Sequence, residues 1–329
     1  MVKLDDYLYD GDTIFKILQK YADDLESSAL DTGNQIDLVH ANFLATISDL
    51  LEHNEFLTSQ SNRIKEFYKY LADKYPYLAF TLKGRIKSIV RAEEKFNGYI
   101  VEYIYDYYKE FGRYPEMAAL KDKLGAFRDL IAYRIVISLP KCHLKEGENR
   151  QDKELEILYE IANALPGFLQ ERDFSLVSIK KEGRQVSPML QENVADYYRD
   201  YIVSPSDFGY QSLHITVYDN QARCYMEVQL RTKSMDDYAE IGPANHIGYE
   251  KRQELERARR SAIPKGECKY FDEAYERVMS LQTMDLSKLD VNMFAAVNNS
   301  LINDGCGLYR GRLILPFEHL SRFQNNIVD

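Results

Sequence analysis

Three groups of residues in this 329-residue chain have types and spacings suited to chemistry. The first is basic. Lys83, Arg85, Lys87, Arg91 and Lys95 stand close together in a chain whose formal net charge is −10. A polyphosphate is the natural ligand for such a run, and a solvated surface is the competing use. On an extended strand Arg85 and Lys87 share a face, and on a helix Arg91 and Lys95 are an i, i+4 pair. A strand followed by a helix therefore aims all four at one anion.

The second group is a pair of carboxylates. Asp129 precedes a continuous apolar run, and Glu227 lies inside a segment of strand character. Glutamate suits a strand interior poorly, and burying its charge is costly unless a cation or hydrogen-bond donors compensate. Two carboxylates on neighbouring strands make an oxygen-ligand site for magnesium, which takes few protein ligands and shares its shell with phosphates. An ion pair of Glu227 with Arg134 or Arg231 uses the same residues without a metal. The third group is FGYQSLH, Phe208 to His214. Gly209 permits a tight loop, Tyr210 is presented for stacking, and Gln211 and His214 can hydrogen-bond beside it. Core packing is the ordinary alternative for the tyrosine.

The elements that position these groups can be read from periodicity. Ile14, Leu18, Tyr21 and Leu25 recur at helical spacing, as do Val39, Phe43, Ile47, Leu50 and Leu51, so residues 1–75 are expected to be helical. Tyr75-Pro76 marks a boundary. Asn97-Gly98 reads as a helix stop, with another helix at 99–111. LIAYRIVISL at 130–139 has the length and β-branching of a central strand covered on both faces. A helix at 151–165 and a strand at 174–180 follow. A hairpin at 212–232 turns at Asp219-Asn220, with Leu213, Ile215, Val217, Met226, Val228 and Leu230 on its apolar face. Beyond residue 256 a charged helical stretch breaks at Pro264-Lys265-Gly266, and LILPF at 313–317 is a short strand candidate.

Composition narrows the class. Hydrophobic residues make up 45% and charged residues 29%, which fits a globular protein. The acidic balance argues against broad nucleic-acid binding. The cysteines Cys142, Cys224, Cys268 and Cys306 lack metal or disulfide spacing and read as reduced thiols. No signal-like start or long apolar run is present, so the expected location is cytoplasmic, without a membrane partner.

In order along the chain, GRIK with a later lysine, RDLIAYRI, GYQSLH, EVQLRT and AEIGPANH resemble the RelA/SpoT synthetase domain from about Lys83 to Lys251. The pairing of GYQSLH with EVQLRT is the specific part. The resemblance implies an α+β fold of nucleotidyltransferase-like kind, a mixed sheet of about five strands flanked by helices. Helical additions are expected at both ends: 1–75 a helical N-terminal region, 76–255 the synthetase-like domain, 256–329 a helical extension. It further implies that Arg85, Lys87, Arg91 and Lys95 bind ATP and that Asp129 and Glu227 bind Mg2+. Tyr210, Gln211, His214 and Arg231 are expected on the acceptor. Such enzymes transfer the β,γ-pyrophosphate of ATP to the 3′-hydroxyl of GDP or GTP to form (p)ppGpp, and by similarity Glu227 is expected to assist loss of that proton.

Long bifunctional members carry a His/Asp hydrolase domain, whereas this chain has six histidines and no His-Asp dipeptide. The chain resembles a small synthetase-only member, for which a homo-oligomer or an antitoxin is a compatible partner. Related loops commonly read PKPNGY, but here the loop is Ser204-Pro205-Ser206-Asp207-Phe208-Gly209-Tyr210, with Ser206 at the lysine position. Small synthetases that pyrophosphorylate the 3′-end of tRNA are therefore the alternative, with Arg257, Arg259, Arg260 and Lys265 as an RNA contact. An inactive nucleotide-binding module is the third reading.

Overall fold

The computed structural model describes residues 1–9, 11–52, 54–86, 89–125, 131–179, 185–205, 209–221, 223–241, 254–285, 288, 307–309 and 312–314. In chain order its principal elements are α1 (Ile14–Thr32), α2 (Gln35–Glu52), α3 (Asn54–Lys74), β1 (Ala79–Ile86), α4 (Ile89–Phe111), α5 (Met117–Gly125), β2 (Ile131–Ser138) and α6 (Arg150–Gln170). They continue with β3 (Phe174–Leu176), α7 (Glu192–Ala195), β4 (Tyr198–Asp200), β5 (Leu213–Asp219), β6 (Cys224–Thr232), α8 (Lys233–Ile241), α9 (Lys269–Gln282), β7 (Gly307–Tyr309) and β8 (Arg312–Ile314). The chain divides into two compact units, one of residues 1–58, 87–127 and 253–303, the other of 59–86, 128–252 and 304–329.

The first unit is helical. Ile14, Leu18, Tyr21 and Leu25 are all buried, as their spacing predicts, and α1 ends at Gly33, whose φ of 70° is the left-handed turn that glycine adopts freely. Phe96, Ile100, Val101 and Ile104 of α4 share a core with Phe271 and Ala274 of α9. That core overrides the stop expected at Asn97-Gly98, because α4 runs through it without a break. Asn97 is itself buried and donates to the Glu93 backbone carbonyl and to Glu93 Oε1. A helical glycine costs only about 1 kcal/mol, less than burying the flanking apolar residues returns.

The second unit is built on a mixed, six-stranded sheet in the order β1-β2-β6-β5-β3, with β4 also paired to β5. About five strands were expected; the three-residue β4 is too short for a period to show in the sequence. β2 and β6 run parallel; β1–β2, β5–β6, β3–β5 and β4–β5 are antiparallel. Of the expected strand at 174–180, residues 174–176 form β3, 177–179 do not, and 180 lies outside the described residues, while α6 extends to Gln170 and so exceeds its expected end at 165.

Alternation then sorts the two faces of the sheet. Tyr133, Ile135, Ile137, Met226, Val228, Leu230, Leu213, Ile215 and Val217 are buried apolar residues on one side. Phe67 of α3 meets Tyr133 and Phe168 of α6 there, at ring-centroid distances of 5.8 and 5.2 Å. Arg134, Glu227, Gln229, Arg231, His214, Thr216 and Arg199 fall on the alternate positions. Most of these polar residues are buried too, which a hairpin with one solvated face would not show.

β7 and β8 form a separate two-stranded ribbon that includes part of the expected strand at 313–317; the remainder of that segment lies outside the described residues. No helix among the described residues is long and apolar enough to cross a membrane.

Candidate functional site

Glu227 lies near the middle of β6, and strand pairing surrounds it with donors. Thr216 of β5 is its direct cross-strand partner, and Arg199 reaches it from β4 by way of β5. Arg199 Nη2 donates to Glu227 Oε2 at 2.8 Å and to Thr216 Oγ1 at 2.9 Å. Gln229, two residues along the same face, donates from Nε2 to Oε1 at 2.7 Å. His214 Nδ1 approaches the same oxygen at 3.2 Å.

Burial alone raises the Glu227 pKa, but hydrogen bonds from His214 and Gln229 and the charge of Arg199 outweigh it. The carboxyl is held well below the usual carboxylate range and is ionised. Burial lowers the His214 pKa. At neutral pH His214 therefore meets Glu227 as a neutral imidazole, holding it by the Nδ1–H hydrogen bond rather than by charge.

From His214 the bonding continues to Tyr210, whose hydroxyl lies 2.8 Å from Nε2. With Nδ1 protonated, Nε2 is the acceptor and the tyrosine hydroxyl donates. That hydroxyl also accepts from Arg231 Nη2, and the Arg231 guanidinium carbon lies 4.8 Å from the Tyr210 ring centroid. Tyr201 meets Tyr210 and His214 edge-on at 5.9 and 5.0 Å. The loop geometry depends on Gly209, with φ of 74°, where an added Cβ would also come within 3.2 Å of the Tyr238 hydroxyl on α8. Arg231, Tyr210, His214 and Glu227 thus form one continuous hydrogen-bonded chain.

The structure therefore brings together Tyr210, His214, Glu227 and Arg231. Gln211 holds the loop instead, donating weakly to the Ile202 carbonyl at 3.4 Å. The alternative ion pairs of Glu227 do not form: its partner is Arg199, while Arg134 and Arg231 both turn to Asp236. Arg199, Gln229 and Asp236 are the members that sequence reasoning missed. Arg199 sits on a three-residue strand, and only pairing with β5 brings it to Glu227.

Arg85 occupies the cross-strand row of Ala132 and Glu227, two strands from the latter, or roughly 10 Å of sheet. Arg91 and Lys95 lie one turn apart on α4 in the helical unit, where Arg91 pairs with Glu94 at 2.6 Å. Lys87, Asp129, Ser206 and Asp207 lie outside the described residues. β2 begins two residues after Asp129 and neighbours β6, the strand of Glu227. Among the described residues no group of three His, Cys, Asp or Glu side chains could hold a metal ion.

Of the basic stretch considered for RNA, Arg259 pairs with Glu102, Arg260 with Asp272 and Lys265 with Glu276. Cys224 and Cys268 are buried free thiols and Cys142 an exposed one, while the side chain of Cys306 lies outside the described residues.

The family model for a region found in RelA/SpoT proteins matches residues 114–254. A GTP pyrophosphokinase of Haemophilus influenzae is 26% identical over 246 residues, 68% of this chain and 32% of that protein. A guanosine-3′,5′-bis(diphosphate) 3′-pyrophosphohydrolase of Spiroplasma citri is 31% identical over 96 residues, 28% of this chain and 12% of that protein. The chain thus spans no more than about a third of either relative. Among solved structures, small alarmone synthetase 2 of Bacillus subtilis aligns at 18% identity with a TM-score of 0.32, covering 70% of this chain and 90% of that one. Residues 114–254, the span similar to the region found in RelA/SpoT proteins, carry β2 through α8 together with Tyr210, His214, Glu227 and Arg231.

Proposed function

We propose that this protein is an ATP-dependent pyrophosphokinase that moves the β,γ-pyrophosphate of ATP to the 3′-hydroxyl of GDP or GTP, making (p)ppGpp. The observation that carries this reading is the bonded chain from Arg231 through Tyr210 and His214 to Glu227. It ties an aromatic ring suited to a nucleobase to an ionised carboxylate suited to the hydroxyl that the base's ribose presents. Phosphoryl-type transfer asks for this kind of positioning, with positive charge on the moving phosphates.

In this reading Tyr210 receives the guanine, with Gln211, His214 and Arg231 around it. Arg85, Lys87, Arg91 and Lys95 hold the ATP phosphates, and the cross-strand row shared by Arg85 and Glu227 supports the first of these. Glu227 orients the 3′-hydroxyl and accepts its proton. A carboxylate held far below its usual pKa is a weak base. Departure of Arg199 from Oε2 raises the basicity of Glu227 and opens that oxygen. Arg199, with its side chain 39% exposed, is the most readily released of the three donors.

Magnesium fits this donor set in part. The ion takes one or two carboxylates and completes its shell with water and substrate phosphate. Glu227 offers an ionised oxygen once Arg199 leaves, and Asp129 is the second ligand of the proposal. When bound, the ion supplies charge to the transferring phosphates.

The test incubates purified protein with γ-labelled ATP and magnesium, offering GDP, GTP, GMP and deacylated tRNA in separate reactions. Label in a guanosine tetra- or pentaphosphate is expected, and Ser206→Lys then tightens GDP binding. Label on tRNA alone reassigns the acceptor, and no transfer to any acceptor contradicts the enzyme reading. The three carboxylate-paired cations at Arg259, Arg260 and Lys265 favour the free nucleotide over an RNA backbone.

A further inference from the structure

Two arginines share one buried carboxylate behind Tyr210. Asp236, in the first turn of α8, accepts from Nη1 of Arg134 on β2 and from Nη1 of Arg231 on β6, each at 3.3 Å. All three residues are buried. Glu240, one turn further along α8, takes a second bond from Arg134 Nη1 at 2.5 Å. Among the described residues Arg134 Nε has no hydrogen-bond partner, while its Nη1 bonds tie the head group to α8.

Arg231 is then directed on its other edges. Nη2 donates to Gln229 Oε1 at 2.9 Å and to the Tyr210 hydroxyl, and Nε reaches Ser212 Oγ at 3.4 Å. Its planar fork has one orientation that meets all of these partners at once. Take away the charge of Asp236 and two buried guanidiniums are left side by side. Their repulsion and the loss of an acceptor both act on Arg231, whose Nη2 pins the Tyr210 ring.

We propose that Asp236 is a positioning residue: by clamping Arg134 and Arg231 together it fixes Arg231 on the Tyr210 hydroxyl and so sets the plane of the Tyr210 ring. The consequence for the acceptor rests on the reading of Tyr210 as the nucleobase platform; the consequence for the ring itself does not. Asp236→Asn keeps the shape and removes the charge. Where that single change prevents folding, Arg134→Gln combined with Asp236→Asn also removes one of the two opposed cations.

The experiment labels tyrosine ring carbons with 13C, assigns the Tyr210 signal by its loss in Tyr210→Phe, and measures GDP and ATP affinity by calorimetry on the same samples. In Asp236→Asn and in the double variant the Tyr210 signal should move, GDP affinity should fall about tenfold, and ATP affinity should hold. An unmoved Tyr210 signal in both variants overturns the proposal, as does a parallel loss of ATP and GDP binding with a fallen melting temperature. A moved Tyr210 signal in a protein whose unaltered form binds no guanine nucleotide upholds the positioning role and removes the acceptor reading instead.

Discussion

Each unit of this protein contains a carboxylate paired with a histidine, and the two pairs are built differently. In the helical unit Glu93 of α4 receives His40 Nε2 at 2.6 Å, the Tyr21 hydroxyl at 2.7 Å and Asn97 Nδ2 at 2.9 Å. The side chains of His40 and Glu93 are 0% and 1% exposed. In the sheet unit Glu227 receives His214, Gln229 and Arg199, and the last of these stays 39% exposed. Both carboxyls lie below their usual pKa against the pull of burial, Glu93 chiefly through His40 and Tyr21, and Glu227 through His214, Gln229 and Arg199. The difference is access. Every donor to Glu93 is sealed inside a core, so that network can only hold helices together, whereas Glu227 has one partner that solvent or a ligand can replace.

The largest expected effect breaks the sealed pair. Glu93→Ala leaves His40, Tyr21 and Asn97 without their common acceptor and should cost about 3–5 kcal/mol of unfolding free energy, read by urea denaturation. A loss below 1 kcal/mol would mean the network is not structural. Removing the exchangeable partner sharpens the contrast, because Arg199→Ala should cost no more than about 1 kcal/mol while Glu227 becomes easier to protonate.

A smaller effect lies in the pH dependence. Glu227 and Glu93 have folded pKa values below their unfolded ones, so their stabilisation is complete above the unfolded value and is lost as pH falls through the folded one. His214 behaves likewise around its own range, since burial depresses its pKa: its contribution is present above about 6.5 and is lost as pH falls below that. Melting temperature should therefore decline on acidification in two stages. His214→Gln should flatten the upper stage and Glu227→Gln the lower. An unchanged acid limb in both variants would contradict these assignments.

The hairpin and its polar row were legible in the sequence because period-2 alternation is strong over β5 and β6. The apolar run of β2 showed itself by length and branching. Tyr210, His214, Glu227 and Arg231 could be named together because two short motifs placed them on those strands and on the loop just before β5. Arg199 was not legible, since a three-residue strand leaves no period and its meeting with Glu227 depends on non-local pairing. Asp236 was hidden for another reason: on a helix with several acids, nothing in the sequence says which one turns toward two buried arginines. Asn97-Gly98 misled because local propensity of about 1 kcal/mol loses to the core on either side of it.

The central claim is that Glu227 acts in transfer and does not merely hold the fold. The direct measurement compares unaltered protein with Glu227→Gln for magnesium-dependent transfer of label from γ-labelled ATP to GDP, with melting temperature and ATP affinity taken on the same samples. The account predicts turnover reduced by about 10²-fold or more, ATP affinity within a factor of about three, and a protein still folded at the assay temperature, its melting temperature lowered by the lost stabilisation of ionised Glu227. Near-normal turnover in Glu227→Gln, with the unaltered protein active, would contradict it.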